Sequence, residues 1–206
     1  MKTIGLVGGV ASGKSRVAHM LGDLGAGVLD ADRAGHDVLE TDAEVCQAIR
    51  QRWGHAVLTA DGRVNRAALA RRVFAAGDQA AEDREFLEGL LHPLIKVRLE
   101  AQAEKFMAEG RPAVVFDAPL LLEAGWGPMC DFLVLVEASR AARVARGRLR
   151  GWSEEEFDRR EAAQWTVDEK RRHADVVLPN DGSEDDLQRV VQQFWNEKIV
   201  SRSPSG

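Results

Sequence analysis

The residues with the clearest chemical meaning are Gly8, Gly9, Val10, Ala11, Ser12, Gly13, Lys14 and Ser15, which match the spacing G-x-x-x-x-G-K-[ST]. Glycines so spaced let the backbone curl until its N–H groups converge on phosphate oxygens. A helix opening at Lys14 adds the positive end of its dipole. Lys14 then bridges the β- and γ-phosphates of a nucleoside triphosphate, and the Ser15 hydroxyl becomes a Mg²⁺ ligand. ATP and Mg²⁺ are the expected cofactors. Arg16, next in line, is either an extra phosphate contact or a solvent-facing side chain.

Three further groups bear on what the nucleotide is used for. Asp30 and Asp32 stand where a second strand ends. A carboxylate beside the γ-phosphate suits a kinase, because it accepts the proton of an attacking hydroxyl and orients it. Transition states of phosphoryl transfer are loose, so positioning and charge neutralisation carry most of the catalysis. The alternative is a pair of ordinary capping aspartates. Arg140, Arg143, Arg146, Arg148 and Arg150 lie within eleven residues. Arg143, Arg146 and Arg150 fall at i, i+3 and i+7, on one helical face. A mobile lid built on them neutralises the transferring phosphoryl group and excludes water; the alternative is a solvated basic face. Asp117 ends a third strand, where it either holds Mg²⁺ or caps a short helix that starts near Pro119.

The elements that position these groups alternate. Short β-branched runs at Thr3 to Val7, Val28 to Asp30, Ala113 to Asp117, Phe132 to Val136 and Asp175 to Leu178 read as buried strands. Helical patterns fill the intervals, with Pro93 expected to restart a helix at its first turn. The fold class is therefore α/β, a parallel five-stranded sheet with helices on both faces. Ligands in such sheets bind beyond the carboxyl ends of the strands. The expected division is a core of residues 1–32, 111–138 and 174–200, a helical acceptor-binding region over 33–110, and a lid over 139–173. The small polar tail 201–206 reads as disordered.

Composition narrows the classes. A formal net charge of -5 argues against a globally basic nucleic-acid binder. No run approaches the roughly 18 apolar residues of a membrane span, and the N-terminus reads as a strand rather than a signal segment. Cys46 and Cys130 form no CxxC pair and suit a reduced, cytoplasmic setting. The partners expected are small molecules, with neither nucleic acid nor membrane among them.

With these residues in place, the chain resembles the bacterial dephospho-coenzyme A kinases over roughly residues 3 to 195. The resemblance runs through the phosphate loop, Asp30-Ala31-Asp32, Asp61-Gly62, His92-Pro93, Pro119-Leu120-Leu121 with Glu123, Arg146, Arg150-Gly151, Arg160, Gln164, Lys170, Ala174-Asp175 and Asn180. It implies a P-loop kinase fold of the nucleoside-monophosphate-kinase type, with a helical substrate-binding insertion and a lid. It implies ATP-dependent transfer to the ribose 3′-hydroxyl of dephospho-coenzyme A, yielding coenzyme A. By the same resemblance Asp32 is the base and Arg150 a lid residue near the phosphates. His92, Pro119 and Leu120 lie along the acceptor site, and Asn180 near the adenine of ATP. Two positions depart from the family pattern: Ala11 stands where glycine is usual, and Arg16 where a small hydroxylated residue is common. If position 11 needs positive φ, alanine costs about 1 kcal/mol there.

Rival readings are a kinase for another nucleotide or nucleoside, a GTPase switch, and a non-catalytic nucleotide-binding module. Asp32-Arg33-Ala34-Gly35 spells D-x-x-G, but no N-K-x-D guanine motif exists in the chain. Intact Lys14, Ser15, Asp32 and Arg150 argue against a module that only binds.

Overall fold

The computed structural model describes residues 1–75 and 77–201. The chain opens with β1 (Lys2–Val7), α1 (Lys14–Asp23) and β2 (Gly27–Asp30). Four helices follow: α2 (Ala31–Thr41), α3 (Ala43–Trp53), α4 (Arg66–Val73) and α5 (Asp78–Ala108). Then come β3 (Ala113–Asp117), β4 (Phe132–Glu137), α6 (Arg140–Leu149), α7 (Glu154–Ala162), α8 (Val167–His173), β5 (Val176–Pro179) and α9 (Glu184–Trp195). The elements form two compact units, residues 1–30 with 102–206, and residues 31–101. The first boundary sits where β2 passes directly into α2. The second falls inside α5, the element that the sequence reading had ending the helical region at 110. The polar tail expected to be disordered lies, after Ser201, outside the described residues.

The first unit is built on one sheet with strand order β2-β3-β1-β4-β5, every neighbouring pair parallel. Strands covered on both faces read as continuous apolar runs, and Ile4, Leu6, Val115, Val134 and Val136 are buried in its core. Helix α9 places Leu187, Val191, Phe194 and Trp195 at i, i+4, i+7 and i+8, a stripe that packs into the same core. Each such side chain contributes about 1.5–3 kcal/mol on burial. The register sets Leu6 of β1 and Asp30 of β2 beside Asp117 of β3. The carboxyl edge of the sheet thus carries the phosphate loop with two strand-end aspartates next to it.

The second unit is helical. Asp42 caps α3 by accepting from the Glu44 and Val45 N–H groups, both at 3.1 Å. Asn65 caps α4 in the same way at Ala68. Trp53 meets Phe86 edge to face at 5.4 Å. Pro93 does not start a helix: α5 runs through it unbroken. An interior proline costs about 3 kcal/mol, partly by crowding the carbonyl four residues back. That carbonyl belongs to Gly89, beside which a Cβ would find open space. Buried Ala80 and Asp83 before the proline, and Ile95 and Leu99 after it, hold the helix in one piece by packing.

Candidate active site

Strand β1 delivers the chain to Gly8, and α1 begins at Lys14. The glycines of this loop are required by close approach. A Cβ on Gly8 would lie 2.5 Å from the Val136 carbonyl, and one on Gly9 would lie 2.7 Å from Arg143 Nη1. Gly13 has φ 103° and faces the Asn180 amide, which a Cβ would strike. Ala11 is the one non-glycine among the described residues with positive φ, at 57°. The condition under which alanine is costly there is therefore met, at about 1–2 kcal/mol. Its methyl group is compensation, being packed in a small cluster with Val10, Val144 and Phe157.

The start of α1 has no capping side chain and no acid in its first turn. Helices α6 to α9 are instead capped by Ser139, Ser153, Thr166 and Ser183. The first N–H groups of α1 therefore suit an anionic ligand. Lys14 lies across the loop, its Nζ donating to the carbonyls of Gly8 at 3.0 Å and Gly9 at 3.2 Å.

The Ser15 hydroxyl lies beside the Asp117 carboxyl group. Burial pushes that carboxyl above the ordinary carboxylate range; Ser15 and Lys14 pull it back, and Asp30 pushes it further up. Asp117 has no helix to cap, because the segment after it is a turn, with the Ala124 N–H donating to the Leu120 carbonyl at 2.8 Å. A desolvated carboxylate beside a hydroxyl is a pair of hard oxygen donors of the kind Mg²⁺ takes. The donor set fits the ion that the phosphate loop implies.

The arginines of α6 divide into three environments. Arg143 is only 5% exposed, so the solvated-face alternative fails for it. Its guanidinium pairs with Glu161 of α7 and donates to the Ala138 carbonyl at 3.2 Å and the Val10 carbonyl at 3.4 Å. Nor is it an open lid group, since it grips the back of the phosphate loop. Arg146 donates to the Ser12 carbonyl at 3.2 Å and the Asn180 carbonyl at 2.6 Å. Asn180 is buried, and its amide donates to the same Ser12 carbonyl at 2.7 Å. Arg150 ends α6, exposed, with its guanidinium 5.5 Å from the Trp152 ring centroid. Arg16, Arg146, Arg150 and Asn180 line one cleft of 370 Å³ together with Ala11 and Gly13. Arg16 forms an exposed ion pair with Glu184 at the start of α9.

The remaining expected residues are placed as follows. Asp32 is exposed in the first turn of α2, and Asp30 is exposed at the end of β2, so neither packs into a core. His92 is half-buried on α5, one residue before Pro93. Pro119 and Leu120 are half-buried in the turn after β3. Sequence reasoning assigned no individual role to Lys170, Glu123 or Glu161. Lys170 is 1% exposed, and its Nζ lies 3.1 Å from Glu123 Oε1, 3.0 Å from Gln164 Oε1 and 3.4 Å from the Gly8 carbonyl. The three partners come from three separate segments, so no local spacing announces the cluster.

The dephospho-CoA kinase family matches residues 2–186. A dephospho-CoA kinase of Symbiobacterium thermophilum is 40% identical over 199 residues, which span 95% of this chain and 80% of the relative. A crystal structure of TT1252 from Thermus thermophilus is similar at 36% identity and TM-score 0.79, covering 96% of this chain and 97% of the other. A dephospho-CoA kinase from Campylobacter jejuni shares the fold at TM-score 0.70 and 21% identity, over 97% of this chain and 98% of its own.

Proposed function

Since this chain belongs to the dephospho-CoA kinase family and is a kinase of the last step of coenzyme A biosynthesis, we propose how its own residues carry the transfer of the ATP γ-phosphoryl group to the ribose 3′-hydroxyl of dephospho-CoA. The observation that carries the reading is the phosphate loop with Lys14 laid across it and the Ser15–Asp117 pair beside it. The N–H groups of residues 8–15 bind the β- and γ-phosphates, and Lys14 leaves its two carbonyls to follow the charge as it shifts toward the leaving oxygen. Ser15 and Asp117 would hold Mg²⁺, which would supply neutralisation of phosphate charge there.

Asp32 is the base. It stands two residues beyond β2 on the first turn of α2, and it accepts and orients the 3′-hydroxyl proton. His92, Pro119 and Leu120 contact the acceptor. Arg150 and Arg146 draw in the transferring phosphoryl group, and Asn180 with the cleft beside Gly13 receives the adenine. Arg16, held by Glu184, closes the far side of that cleft. Among the described residues no helix is long and apolar enough to cross a membrane, and a cytoplasmic setting suits the substrates.

The test is ADP release with Mg-ATP, with and without dephospho-CoA, using AMP and adenosine as control acceptors. Stimulation by dephospho-CoA alone is expected. Stimulation by a control acceptor alone would keep the kinase fold and overturn the acceptor, and stimulation by none would overturn the enzymatic reading.

A further inference from the structure

Three cations approach the phosphate loop from its outer side and take alternate carbonyls. Lys170 of α8 donates to Gly8, and Arg143 and Arg146 of α6 donate to Val10 and Ser12. In such a loop the N–H groups serve the ligand, so the carbonyls must find donors elsewhere. Lys170 differs from the other two because it shares its carbonyl with Lys14, whose Nζ is 3.0 Å from the same Gly8 oxygen.

We propose that Lys170 is a positioning residue that acts through Lys14. The Gly8 carbonyl has two ammonium donors, one permanent and one that must leave when phosphate arrives. Lys170 is locked in place: it is buried, its ammonium donates to Gly8 and Gln164, and it is ion-paired with Glu123. A buried cation so satisfied does not reorient. When Lys14 moves to the β- and γ-phosphates, Lys170 keeps the Gly8 carbonyl paired, so the release of Lys14 does not orphan a buried acceptor. Without Lys170, that carbonyl would hold Lys14 back.

The same cluster secures the segment between α7 and α8. Glu123 accepts from the Trp165 N–H at 2.8 Å and is ion-paired with Lys170, which fixes the entry of α8 to the turn after β3. A merely structural role for the ion pair is therefore the competing explanation, and it predicts different binding data.

The inference rests on Mg-ATP binding to the phosphate loop, so wild-type binding by titration calorimetry is the control; its absence would sink that reading and not this one. Melting temperature and Mg-ATP dissociation constant are then measured for Lys170→Met, Glu123→Gln and the double variant. Both single variants leave one member of a buried pair without its counter-charge and melt lower. Their affinities should diverge. Lys170→Met should weaken Mg-ATP binding at least fivefold, whereas Glu123→Gln keeps the donor to Gly8 and should bind within twofold of wild type, or tighter. The double variant is neutral, like the native pair. It should regain melting temperature over Lys170→Met while Mg-ATP binding stays at least fivefold weak, because the donor to Gly8 is still missing.

Equal affinity losses in the two single variants, or wild-type affinity in the double variant, would overturn the proposal. A cycle with Lys14→Met gives a second readout that a structural role would not move. In that background Lys170→Met should change affinity less than twofold; an undiminished fivefold loss would show that Lys170 does not act through Lys14.

Discussion

Asp83 offers a quantitative test of how the helical unit is held together. The residue is 1% exposed on α5. Arg72 Nε donates to it at 2.7 Å, Arg52 Nη2 at 3.3 Å and Gln79 Nε2 at 3.5 Å, which ties α3, α4 and α5 to one carboxylate. Removing one member of a buried ion pair costs about 3–5 kcal/mol when the survivor stays buried. The survivors here would be two arginines that are 38% and 43% exposed, and they can rehydrate by rotating outward. Asp83→Ala should therefore cost less, about 2–3 kcal/mol, for charged hydrogen bonds lost at partly wet donors. The opposite cut is worse: the Arg52→Met, Arg72→Met double variant strands a carboxylate that cannot reach water, at about 4 kcal/mol. Restoring neutrality with Asp83→Leu in that background should recover most of the loss.

Urea unfolding at neutral pH would measure all three variants, with about 2–4 °C of melting temperature per kcal/mol as a check for a chain of this size. The pH dependence has a definite sign. Burial pushes the Asp83 carboxyl up, but the Trp53, Arg72 and Arg52 groups beside it outweigh burial and hold it below its usual 3.8. The stabilisation is then fully present above 3.8 and is lost as pH falls through the lower folded value. Asp83→Ala should flatten that acid limb. Mg-ATP affinity should stay within twofold at low temperature, because the groups assigned to the phosphates belong to the other unit. An alanine variant less stable than the double arginine variant would refute the reasoning about which charge can reach water.

Asp32→Asn should retain Mg-ATP affinity and lose at least 100-fold in turnover, the scale of a missing general base; near-normal turnover in a coupled ADP assay would remove Asp32 from the mechanism. Ala11→Gly relieves about 1–2 kcal/mol of left-handed strain and forfeits about 0.8 kcal/mol for a buried methyl group. The glycine also gains freedom in the unfolded chain, so calorimetry should find the melting temperature within about 3 °C of wild type. Asp117→Asn removes a desolvated charge and should raise the melting temperature of the metal-free protein while increasing the Mg²⁺ needed for half-maximal activity at least tenfold. A lower melting temperature with an unchanged Mg²⁺ requirement would contradict the assigned role.

What was legible in the sequence depended on how local the determinants are. The phosphate loop and all five strands follow from short patterns, and each expected strand lies within a residue or two of its observed bounds. The left-handed conformation of Ala11 could be posed from the sequence only as a condition, because the residue type there does not itself announce positive φ. Pro93 was misread because intrinsic propensity is local, whereas the packing of Ala80, Ile95 and Leu99 that overrides it is not. The α6 arginines share the predicted helical face, yet that face meets the phosphate loop, so Arg143 became a buried brace instead of a lid group. Its partner Glu161 sits on another helix, and nothing in the spacing of either residue pairs them.

The buried cations also reconcile an acidic chain with an anionic ligand. A protein of net charge -5 needs no broad basic surface to bind a triphosphate if its positive groups are placed singly and each is answered. In the interior Lys170 is answered by Glu123 and Arg143 by Glu161, and at the surface Arg16 is answered by Glu184. In the proposed reading the pull on the phosphates comes from the converging loop N–H groups, the uncapped start of α1, and Lys14 with Arg146 and Arg150. All of these are short-ranged and directional. Such a site selects by shape as much as by charge, because an anion gains little from it unless its oxygens reach the loop. Pairing the supporting cations in the interior thus fixes the phosphate loop without turning the surrounding surface into an unselective anion trap.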